Sequence, residues 1–435
     1  LELLPEKLAA KHGWLSLFVG SCKFIFAAKE VDCWLELARV RFVATDDRRG
    51  ELLALSQQVR QHLFIDGRFA FGRELLPRIM ELLDEKKEDL DPVNLSMIHY
   101  SLALGLGFFS GDLARAEKFA RSCLQMAQKS RQLDLELDGR IACGYLALLQ
   151  GSSFVACSEI ENGWQLCAEG ARPSLFFYLL TANVLLHTGD LDGYRAQRRH
   201  LVERFGRQSL QQGTLGVVLS LLDVEASLLE GDSDAAAEMI RIGSAEDVSA
   251  GNPHLQSWLL QFQALLHARS GRHEAARSDL TESRRLREQV GGGVHMLTNL
   301  LVSAETLLEI NDFEVARGLL QRALDFSCQT GDLLVRPGIH AVLARLYQRQ
   351  AETVKALEHL QEFLFLLRSR QHKCCFFLTP ELLEILPLAV ENDVFPEVAS
   401  RLAADFFGCD IRNDGQLVPH LQISLLGPFR LRIAE

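Results

Sequence analysis

The sequence predicts an all-α fold, an α-α superhelix of about eight to nine helix pairs that ends in a short β-prone tail. Three observations predict this fold. The helical pattern is broken about every 40 residues, an alanine recurs five residues after the breaks, and a small residue recurs seven residues before them. A period of this length is one helix hairpin with its connections, and hairpins stacked in series form a solenoid without a single central core.

The breaks fall on residues that suit a tight turn. Successive breaks lie 44, 40, 38, 42, 40, 40 and 40 residues apart. Glycine or asparagine at a break supplies the positive φ that helix C-termini favour, and an aspartate after the glycine is a natural N-cap for the next helix. The break residues are Gly67, Gly111, Gly151, Gly189, Gly231, Gly271, Asn311 and Ala351.

The register inside each unit is the stronger evidence for paired helices. Small residues on both sides of a break let the two helices approach closely, and larger apolar residues nine positions after the break continue the 3.6-residue stripe. The alanines after the breaks are Ala116, Ala156, Ala236, Ala276, Ala316 and Ala356, with Tyr194 as the exception. The small residues before them are Gly144, Ala182, Ala264, Ala304 and Ala344, with Leu104 and Val224 as exceptions.

This register is typical of tetratricopeptide-like helix pairs, and we assign residues 1–407 to one such repeat domain. An earlier pair precedes the numbered breaks. In this pair Ala27 and Ala28 lead into Val31–Val43, and the charged break TDDRRG ends the pair at Gly50.

The C-terminal tail has a different pattern. The polar stretch IRNDGQLVPH indicates a linker over residues 408–420. In residues 421–435, apolar positions alternate on both sides of the Gly427-Pro428 turn signal, which predicts two short strands. An isolated hairpin is barely stable, so we expect this segment to begin a β-containing domain that is truncated at Glu435.

Composition excludes several classes of function. The net charge is 46 − 57 = −11, whereas a nucleic-acid-binding surface needs a basic face. No uninterrupted apolar run reaches the roughly 18 residues that span a bilayer, so no membrane association is expected. The ten cysteines contain no C-x-x-C pair, which favours reduced thiols and a cytoplasmic location.

Motifs for catalysis or cofactor binding are not found in the sequence. There is no phosphate-binding G-x-x-x-x-G-K-[ST] motif, and HEAAR at His273 lacks the second histidine of a zinc-protease helix. Gly291–Gly293 fits a flexible loop better than a phosphate cradle. The cluster Arg284, Arg285 and Arg287, like that at Arg195–Arg199, fits a solvated outer face or, alternatively, a contact with DNA or an acidic partner. We therefore predict no enzyme activity, no catalytic residue, no metal and no cofactor.

A ladder of polar residues is the candidate binding site. In tetratricopeptide superhelices the first helix of each pair lines the concave face, and the position six residues before the break points inward. Polar side chains repeated along an inner wall are costly to bury unless they are paired. They indicate either mutual hydrogen bonds between repeats or a site for a peptide, a partner domain or a small inducer. The predicted ligand- or partner-binding residues are Tyr145, Asn183, Glu225, Trp258, Gln261, Glu305 and Arg345.

Several segments resemble one family. The 40-residue pairs resemble the MalT-like superhelix of large bacterial transcriptional activators of the signal-transducing ATPase class. PHLQISLLGPFRLRIAE resembles the opening of the OmpR-like winged-helix domain of bacterial transcriptional activators, and LTPELLEILPLAVENDVFPEVASRLAADF resembles the helices before it. LPEKLAAKHGWLSLFVG is similar to the segment that follows the ATPase region in such proteins.

The resemblance implies a non-catalytic sensor and protein-interaction region of a bacterial transcriptional regulator. Its partner would be a protein, a peptide or a small-molecule inducer, and it would meet DNA only through a domain missing from this chain. The alternative is a general peptide-binding tetratricopeptide scaffold or co-chaperone. A winged helix encoded beyond Glu435 would exclude that alternative.

Overall fold

The computed structural model describes residues 6–25, 30–206, 213–244, 251–369, 376–423 and 431–433. The chain in these ranges is almost entirely helical, and consecutive helices pack as antiparallel pairs around one large buried cluster and two smaller ones. The predicted all-α superhelix with a β-prone tail is confirmed.

The short helix α1 (Glu6–Ala9) precedes the paired helices. The pairs in chain order are α2 (Gly13–Ile25) with α3 (Val31–Ala44), α4 (Arg48–Phe64) with α5 (Phe69–Lys86), α6 (Pro92–Gly105) with α7 (Leu113–Ser130), α8 (Leu133–Leu149) with α9 (Ser153–Ala168), α10 (Leu175–His187) with α11 (Leu191–Phe205), α12 (Gly213–Leu229) with α13 (Ser233–Ser244), α14 (Pro253–Arg269) with α15 (His273–Val290), α16 (Gly293–Glu309) with α17 (Phe313–Thr330), and α18 (Arg336–Arg349) with α19 (Thr353–Ser369).

The predicted breaks are the turns between the paired helices. All eight residues adopt the left-handed conformation, with φ between 59° and 79°. Six of them are glycines, which reach this region without steric penalty, while Asn311 and Ala351 adopt it with a Cβ atom. The aspartates that follow three of the glycines, Asp112, Asp190 and Asp232, each accept a hydrogen bond from the backbone N–H three residues later.

The alanine register is also confirmed. Each of the six alanines predicted at the close helix contact is 0% exposed. A larger side chain at such a position would push the paired helices apart. The exception, Tyr194, lies in a pair that accommodates its ring, and its hydroxyl donates a hydrogen bond of 2.6 Å to Asp223.

The break predicted at Gly50 lies elsewhere. The turn falls between α3 and α4, and Gly50 belongs to the first turn of α4, where its N–H donates to the Asp47 side chain at 2.8 Å. Glycine is needed there for packing. A Cβ on Gly50 would lie 2.3 Å from the ring of Phe42.

The superhelix closes on itself, so helix pairs far apart in sequence touch. We call this contact the closure seam and define it by Phe69, Gly111, His254, Gly292 and Gly293. The Phe69 and His254 ring centroids lie 4.6 Å apart, and a Cβ on Gly292 would lie 2.4 Å from the Phe69 ring. Gly291–Gly293 is therefore a tightly packed connection, which differs from the flexible loop predicted from the sequence.

Backbone hydrogen bonds reinforce this closure. The carbonyl oxygen of Leu149 accepts from the backbone N–H groups of Leu333 and Leu334 at 2.9 and 3.2 Å. The carbonyl of Ile65 accepts from the Asn252 side chain at 3.0 Å. Much of the inner face of the superhelix is thus protein core.

One described helix is long and apolar enough to cross a membrane by length and composition. It is Pro92–Ser110, which joins α6 to the π-helical turn Leu106–Ser110. The sequence analysis expected no uninterrupted apolar run of that length. In the fold, 72% of the apolar window is buried, because this helix packs between α4, α7 and α8. A core helix passes the same test of length and composition.

The C-terminal part closes the array. The 3-10 helix Pro380–Glu384 leads into α20 (Leu386–Glu391) and α21 (Pro396–Phe407), which pack on α19. Strand β1 (Cys409–Ile411) then pairs antiparallel with β2 (Leu417–Pro419), and β3 (Leu421–Ile423) pairs antiparallel with β4 (Leu431–Ile433). The segment predicted as a linker therefore contains a hairpin, with Cys409 buried against the last helices. The turn between β3 and β4 falls outside the described residues.

Candidate functional site

The predicted polar ladder lies on the first helices of the pairs, as expected, but it does not form one open site. Tyr145 lies on α8, Asn183 on α10, Glu225 on α12, Trp258 and Gln261 on α14, Glu305 on α16 and Arg345 on α18. The structure distributes these residues among three separate buried environments and two isolated positions.

Glu305 and Arg345 form an ion pair between adjacent repeats. Their side chains are only 0% and 2% exposed. Arg345 also contacts Glu309 at 3.0 Å and Glu384 at 3.1 Å. Burial raises the pKa of Glu305, and the positive charge of Arg345 opposes that shift. The two side chains pair with each other inside the fold, which is the mutual pairing considered in the sequence analysis, although Glu305 Oε2 and Arg345 Nε are buried without a hydrogen-bond partner.

Gln261 belongs to a second buried network. Its side-chain oxygen accepts a 3.0 Å hydrogen bond from Asn299, which also donates to Ser283 at 2.9 Å. Ser283 and Ser257 bond to each other's backbone carbonyls at 2.7 and 2.8 Å. This network joins α14, α15 and α16, so Gln261 stabilises the stacking of helices and is inaccessible to a ligand.

Glu225 faces a small internal space, whereas the Trp258 ring packs beside those of His254 and His295, with centroids 5.6 and 5.3 Å away. With His187, Glu225 lines a cavity of about 20 Å³ that Phe377, Leu378 and Thr379 cover. Burial raises the pKa of Glu225 to about 8, an effect that the Trp258 indole partly offsets. Burial lowers the pKa of His187 to about 4. Both groups are thus neutral near pH 6, and their 3.9 Å contact is not then an ion pair.

The two remaining ladder residues are isolated. Asn183 donates a hydrogen bond of 2.8 Å to the carbonyl of Leu179 in its own helix. The Tyr145 ring meets Phe108 edge to face, with centroids 5.8 Å apart. Neither side chain shares a cavity with the other predicted residues.

The chain covers the C-terminal half of the ladder with its own residues. We call residues 376–384 the C-terminal strap. Its Glu381 lies 2.8 Å from Arg269, and its Glu384 contacts Arg349 at 2.6 Å. The strap also covers the Glu225 cavity, so this half of the inner face is closed to a partner in the described fold.

An open groove lies at the N-terminal end of the inner face. It has a volume of about 260 Å³ and lies between α2, α4 and α6, the first helices of the first three pairs. We call it the N-terminal groove. On each helix its residues are three or four positions apart, which places them on one face. Its lining is Trp14, Leu17, Phe18, Ser21, Leu53, Ser56, Gln57, Arg60, Asn94, Met97 and Ser101.

The apolar wall of the N-terminal groove is exposed. Trp14 and Phe18, one helical turn apart on α2, are 48% and 57% exposed. Trp14 is nevertheless held in place, because its indole N–H donates a 3.0 Å hydrogen bond to Asp47. Its ring also meets Phe42 edge to face at 5.1 Å. Exposed aromatic rings in a concave surface mark a site of interaction.

The opposite side of the groove is polar. The Arg60 guanidinium lies over the rings of Phe24 and Tyr100, at 5.1 and 5.4 Å. Among the described residues it makes no hydrogen bond or ion pair, and its Nε is buried without a partner. The carboxyl of Asp138 on α8 is near enough for Arg60 to stabilise its charge. Burial still raises the pKa of Asp138 to about 6.

The N-terminal groove was missed in the sequence analysis for an identifiable reason. The predicted ladder is defined by the position six residues before each break from Gly111 onward, so it includes no residue of α2 or α4. Trp14, Leu17, Phe18 and Ser21 do show the spacing of one helical face. That spacing predicts a buried face as readily as an exposed one, and only packing distinguishes the two.

The basic clusters have structural roles in the described fold. Arg195 pairs with Glu230, and Arg198 forms a two-point contact with Asp223 at 2.6 and 3.0 Å. Arg287 is buried instead of lying on the predicted outer face, and it donates to the ring and carbonyl of His254 at 2.9 and 3.2 Å. Within the described ranges, no cluster of three or more His, Cys, Asp or Glu residues could hold a metal.

Comparisons with known proteins agree with the repeat fold. The tetratricopeptide-repeat family model matches residues 255–329, which lie in α14 to α17. It is a repeat family and not an enzyme family. No curated protein matches the chain.

Solved structures with a similar helical architecture have low sequence identity. NprR in complex with its cognate peptide NprX is 16% identical, over 73% of this chain and 92% of that one, with a TM-score of 0.47. A human IFIT1 dimer with PPP-AAAA is 13% identical, over 87% and 84%, with a TM-score of 0.47. The APC/C hetero-tetramer Cut9-Hcn1 is 14% identical, over 91% and 79%, with a TM-score of 0.48. The confirmed repeat register, together with the repeat model that matches residues 255–329, shows that the chain folds as a superhelix of stacked tetratricopeptide-like helix pairs.

Proposed function

We propose that this chain is the non-catalytic sensor and protein-interaction region of a bacterial transcriptional regulator, and that a protein or peptide partner binds in its N-terminal groove. The observation that carries the proposal is the groove itself, with Trp14 and Phe18 exposed on its wall. Tetratricopeptide repeats are recognition scaffolds, and this groove is formed by the first helices of three consecutive pairs.

The physical argument for a partner rests on the two aromatic rings. Fully burying a side chain of this size is worth about 1.5–3 kcal/mol. Tryptophan is enriched among the residues that dominate the affinity of protein interfaces. Because Asp47 and Phe42 already hold Trp14 in one orientation, binding would lose little side-chain entropy there.

The argument for a transcriptional regulator rests on the tail. We keep the division into a repeat domain (1–407), a connecting segment (408–420) and the start of a winged-helix-type domain (421–435). The β3–β4 pairing supports this division, since the winged helix of such activators is expected to open with a small sheet. DNA would be contacted by that domain and not by the repeats, in keeping with the net charge of −11. A cytoplasmic location is part of the same proposal.

The closure seam offers a route from the groove to the rest of the array. Helices α4 and α6 line the groove. Phe69, the first residue of α5, packs on α14, and Gly111, which follows the π-helical turn after α6, packs on α16. A partner that prefers one spacing of α2, α4 and α6 would shift the array toward that spacing. The change would reach α18 and α19, on which the C-terminal helices are packed.

A small-molecule inducer or a general scaffold role remain the alternatives. The covered cavity beside Glu225 has room for about one water molecule, which favours the open groove over that position as a ligand site. The sequence encoded beyond Glu435 separates the regulator from the scaffold. A winged helix there would support the regulator, and a stop codon or an unrelated domain would leave the scaffold.

The test is effector-dependent transcription by the full-length protein. The double substitution Trp14→Ala and Phe18→Ala is expected to abolish the response while thermal unfolding stays cooperative. The matched control is Phe154→Ala, which removes a ring that is 78% exposed outside the groove. An unchanged response in the double variant, or an equal loss in the control, would contradict the proposal.

A further inference from the structure

We infer that the N-terminal groove recognises an extended protein segment in which an acidic side chain stands beside an apolar one. The carboxylate pairs with Arg60, and the apolar side chain packs on Trp14 and Phe18. This inference names the partner class of the groove and therefore rests on the proposed function. It follows from the charge, the shape and the free hydrogen-bonding groups of the lining.

The charge of Arg60 is the first step. Two other arginines of the first pairs are neutralised within the fold: Arg39 bonds to Glu36, and Arg78 bonds to Glu51 through two atoms at 3.0 Å. Arg60 has only two aromatic rings as contacts and no carboxylate within ion-pair distance among the described residues. Asp138, whose charge Arg60 stabilises, lies beyond ion-pair distance. A half-buried guanidinium with no carboxylate in contact can bind one, because charge-assisted hydrogen bonds to carboxylates are roughly twice as strong as neutral ones.

The apolar wall specifies the neighbouring side chain. Trp14 and Phe18 supply flat surfaces, and Met97, on the facing helix α6, supplies a side chain that adapts to irregular shapes. The volume of about 260 Å³ is below the usual range for a whole drug-sized ligand. It fits the side chains of a short motif.

The length of the groove limits the motif. From Trp14 to Ser21 the lining of α2 spans about 10 Å of helix axis, which equals about three residues of extended chain. An anchor on Trp14 and Phe18 and a carboxylate on Arg60 therefore belong to neighbouring residues of the ligand.

Free polar groups favour a polypeptide over a simple organic acid. The Gln57 amide makes no hydrogen bond among the described residues. Asn94 uses its N–H₂ group on Asp91 at 2.6 Å, which leaves its side-chain oxygen able to accept. An extended backbone presents the alternating donors and acceptors that such amides bind. A nucleic acid is disfavoured, since the groove holds one cation and has Asp47 and Asp91 at its rim.

The experiment measures binding of short, unlabelled peptides to the whole chain by isothermal titration calorimetry. The probes are N-acetylated, C-amidated peptides of about six residues, long enough to cover the groove. They carry leucine, phenylalanine or alanine next to glutamate or glutamine on a glycine-serine background. Because both ends are blocked, a side chain supplies the only carboxylate. A single-stranded oligonucleotide is the comparison probe.

The expected result is a preference for peptides with both an apolar residue and glutamate. Arg60→Gln is expected to weaken their binding by about tenfold or more and to leave the glutamine peptides unchanged. Trp14→Ala is expected to weaken both. The control for the charge is Arg285→Gln, an exposed arginine outside the groove, and Phe154→Ala is the control for the ring. Thermal unfolding of every variant checks that the fold is intact.

Other outcomes overturn the inference in distinguishable ways. If Trp14→Ala weakens binding and Arg60→Gln does not, the groove binds a partner but the acidic specificity is wrong. If the oligonucleotide binds more tightly than the peptides, the partner class is wrong. If no blocked peptide binds with a Kd below about 1 mM, the inference fails. The transcription test with the Trp14→Ala and Phe18→Ala double variant then decides whether the proposal that the groove binds a partner also fails.

Discussion

Gly111 and Gly293 are separated by 182 positions (293 − 111) in the sequence, yet their backbones are in contact across the closure seam. A Cβ on Gly293 would lie 2.8 Å from the Gly111 nitrogen and 2.9 Å from its Cα. Backbone atoms cannot rotate away as a side chain can, so any larger residue at position 293 must separate the two helix pairs. The contact makes the closure of the superhelix sensitive to a single methyl group.

Gly293→Ala is therefore expected to destabilise the protein by about 1–3 kcal/mol, the usual range for overpacking. The matched control is Gly318→Ala in α17, where a Cβ meets nothing within 4 Å. That substitution is expected to stabilise the protein by about 0.5–1 kcal/mol through helix propensity. Chemical denaturation of both variants measures the free energy of unfolding. Equal effects of the two substitutions would show that the seam does not contribute.

The turn at Ala351 makes a second prediction. Its φ of 59° is unfavourable for a residue with a Cβ by roughly 1–2 kcal/mol. Ala351→Gly should relieve this strain and raise the free energy of unfolding, with a gain of less than about 1 kcal/mol after the entropy of glycine is subtracted. The reverse change is Gly271→Ala. Gly271 has a φ of 73° and no atom within 4 Å of an added Cβ, so this substitution should lower stability through backbone strain alone. In thermal unfolding we expect Ala351→Gly to raise the stability and Gly271→Ala to lower it. A lower stability of the Ala351→Gly variant would contradict the prediction.

The buried pair Glu305–Arg345 gives a third prediction. Arg345→Met leaves the buried Glu305 without a cation, while Glu309 and Glu384 keep Arg349. We expect a loss of about 3–5 kcal/mol, as for other buried charges deprived of a partner. Glu305→Gln should be milder, because Arg345 keeps Glu309 and Glu384 at 3.0 and 3.1 Å. The exposed pair of Arg317 with Glu314 is the control, and Arg317→Gln should change stability by less than about 1 kcal/mol. Urea unfolding should show the largest loss for Arg345→Met, a smaller one for Glu305→Gln and the smallest for Arg317→Gln. A different order would contradict the structural role of the buried pair.

Glu225 gives a prediction on pH dependence. Burial raises its folded-state pKa to about 8, above the ordinary value of about 4.3 that applies to the unfolded chain. The folded state thus holds a proton that the unfolded state loses. The stability that this carboxyl contributes is complete below about pH 4.3 and is lost as the pH rises toward 8.

Glu225→Gln removes this titration, so the variant should gain stability relative to the parent as the pH rises. The relative gain between pH 5 and pH 8 is at most about 1.4 kcal/mol per pH unit. Urea unfolding at pH 5, 6.5 and 8 measures it. His187, the titratable group opposite, already holds no charge in this range because burial lowers its pKa to about 4. A stability difference independent of pH would show that the carboxyl is ionised in the fold.

Local features of the fold could be predicted from the sequence. The eight turn residues and the six contact alanines were identified because each depends on interactions within a single helix pair. A left-handed turn needs a residue that tolerates positive φ, and a close helix contact needs a small side chain. These requirements repeat in each helix pair, so they produce a sequence period of about 40 residues. The polar ladder was also placed correctly on the first helices.

The fate of that ladder depended on the tertiary structure. Glu305 and Arg345 stand 40 residues apart on equivalent positions, and the sequence analysis allowed both a ligand site and mutual pairing. The C-terminal strap covers the inner face above these two residues. Gln261 is buried beside Asn299, a residue outside the predicted ladder. The N-terminal groove stays open because none of the described residues covers α2, α4 and α6 at Trp14 and Arg60.

The sequence by itself thus determined the repeat, its turns and its close contacts, whereas only the tertiary structure decided which part of the inner face is filled and which is open. The physical reason is the winding of the superhelix. Each unit adds a small rotation to the one before, and the accumulated rotation brings Gly111 onto Gly293 and Phe69 onto His254. Such contacts join residues that share no local sequence pattern, so the periodicity of the sequence does not predict them.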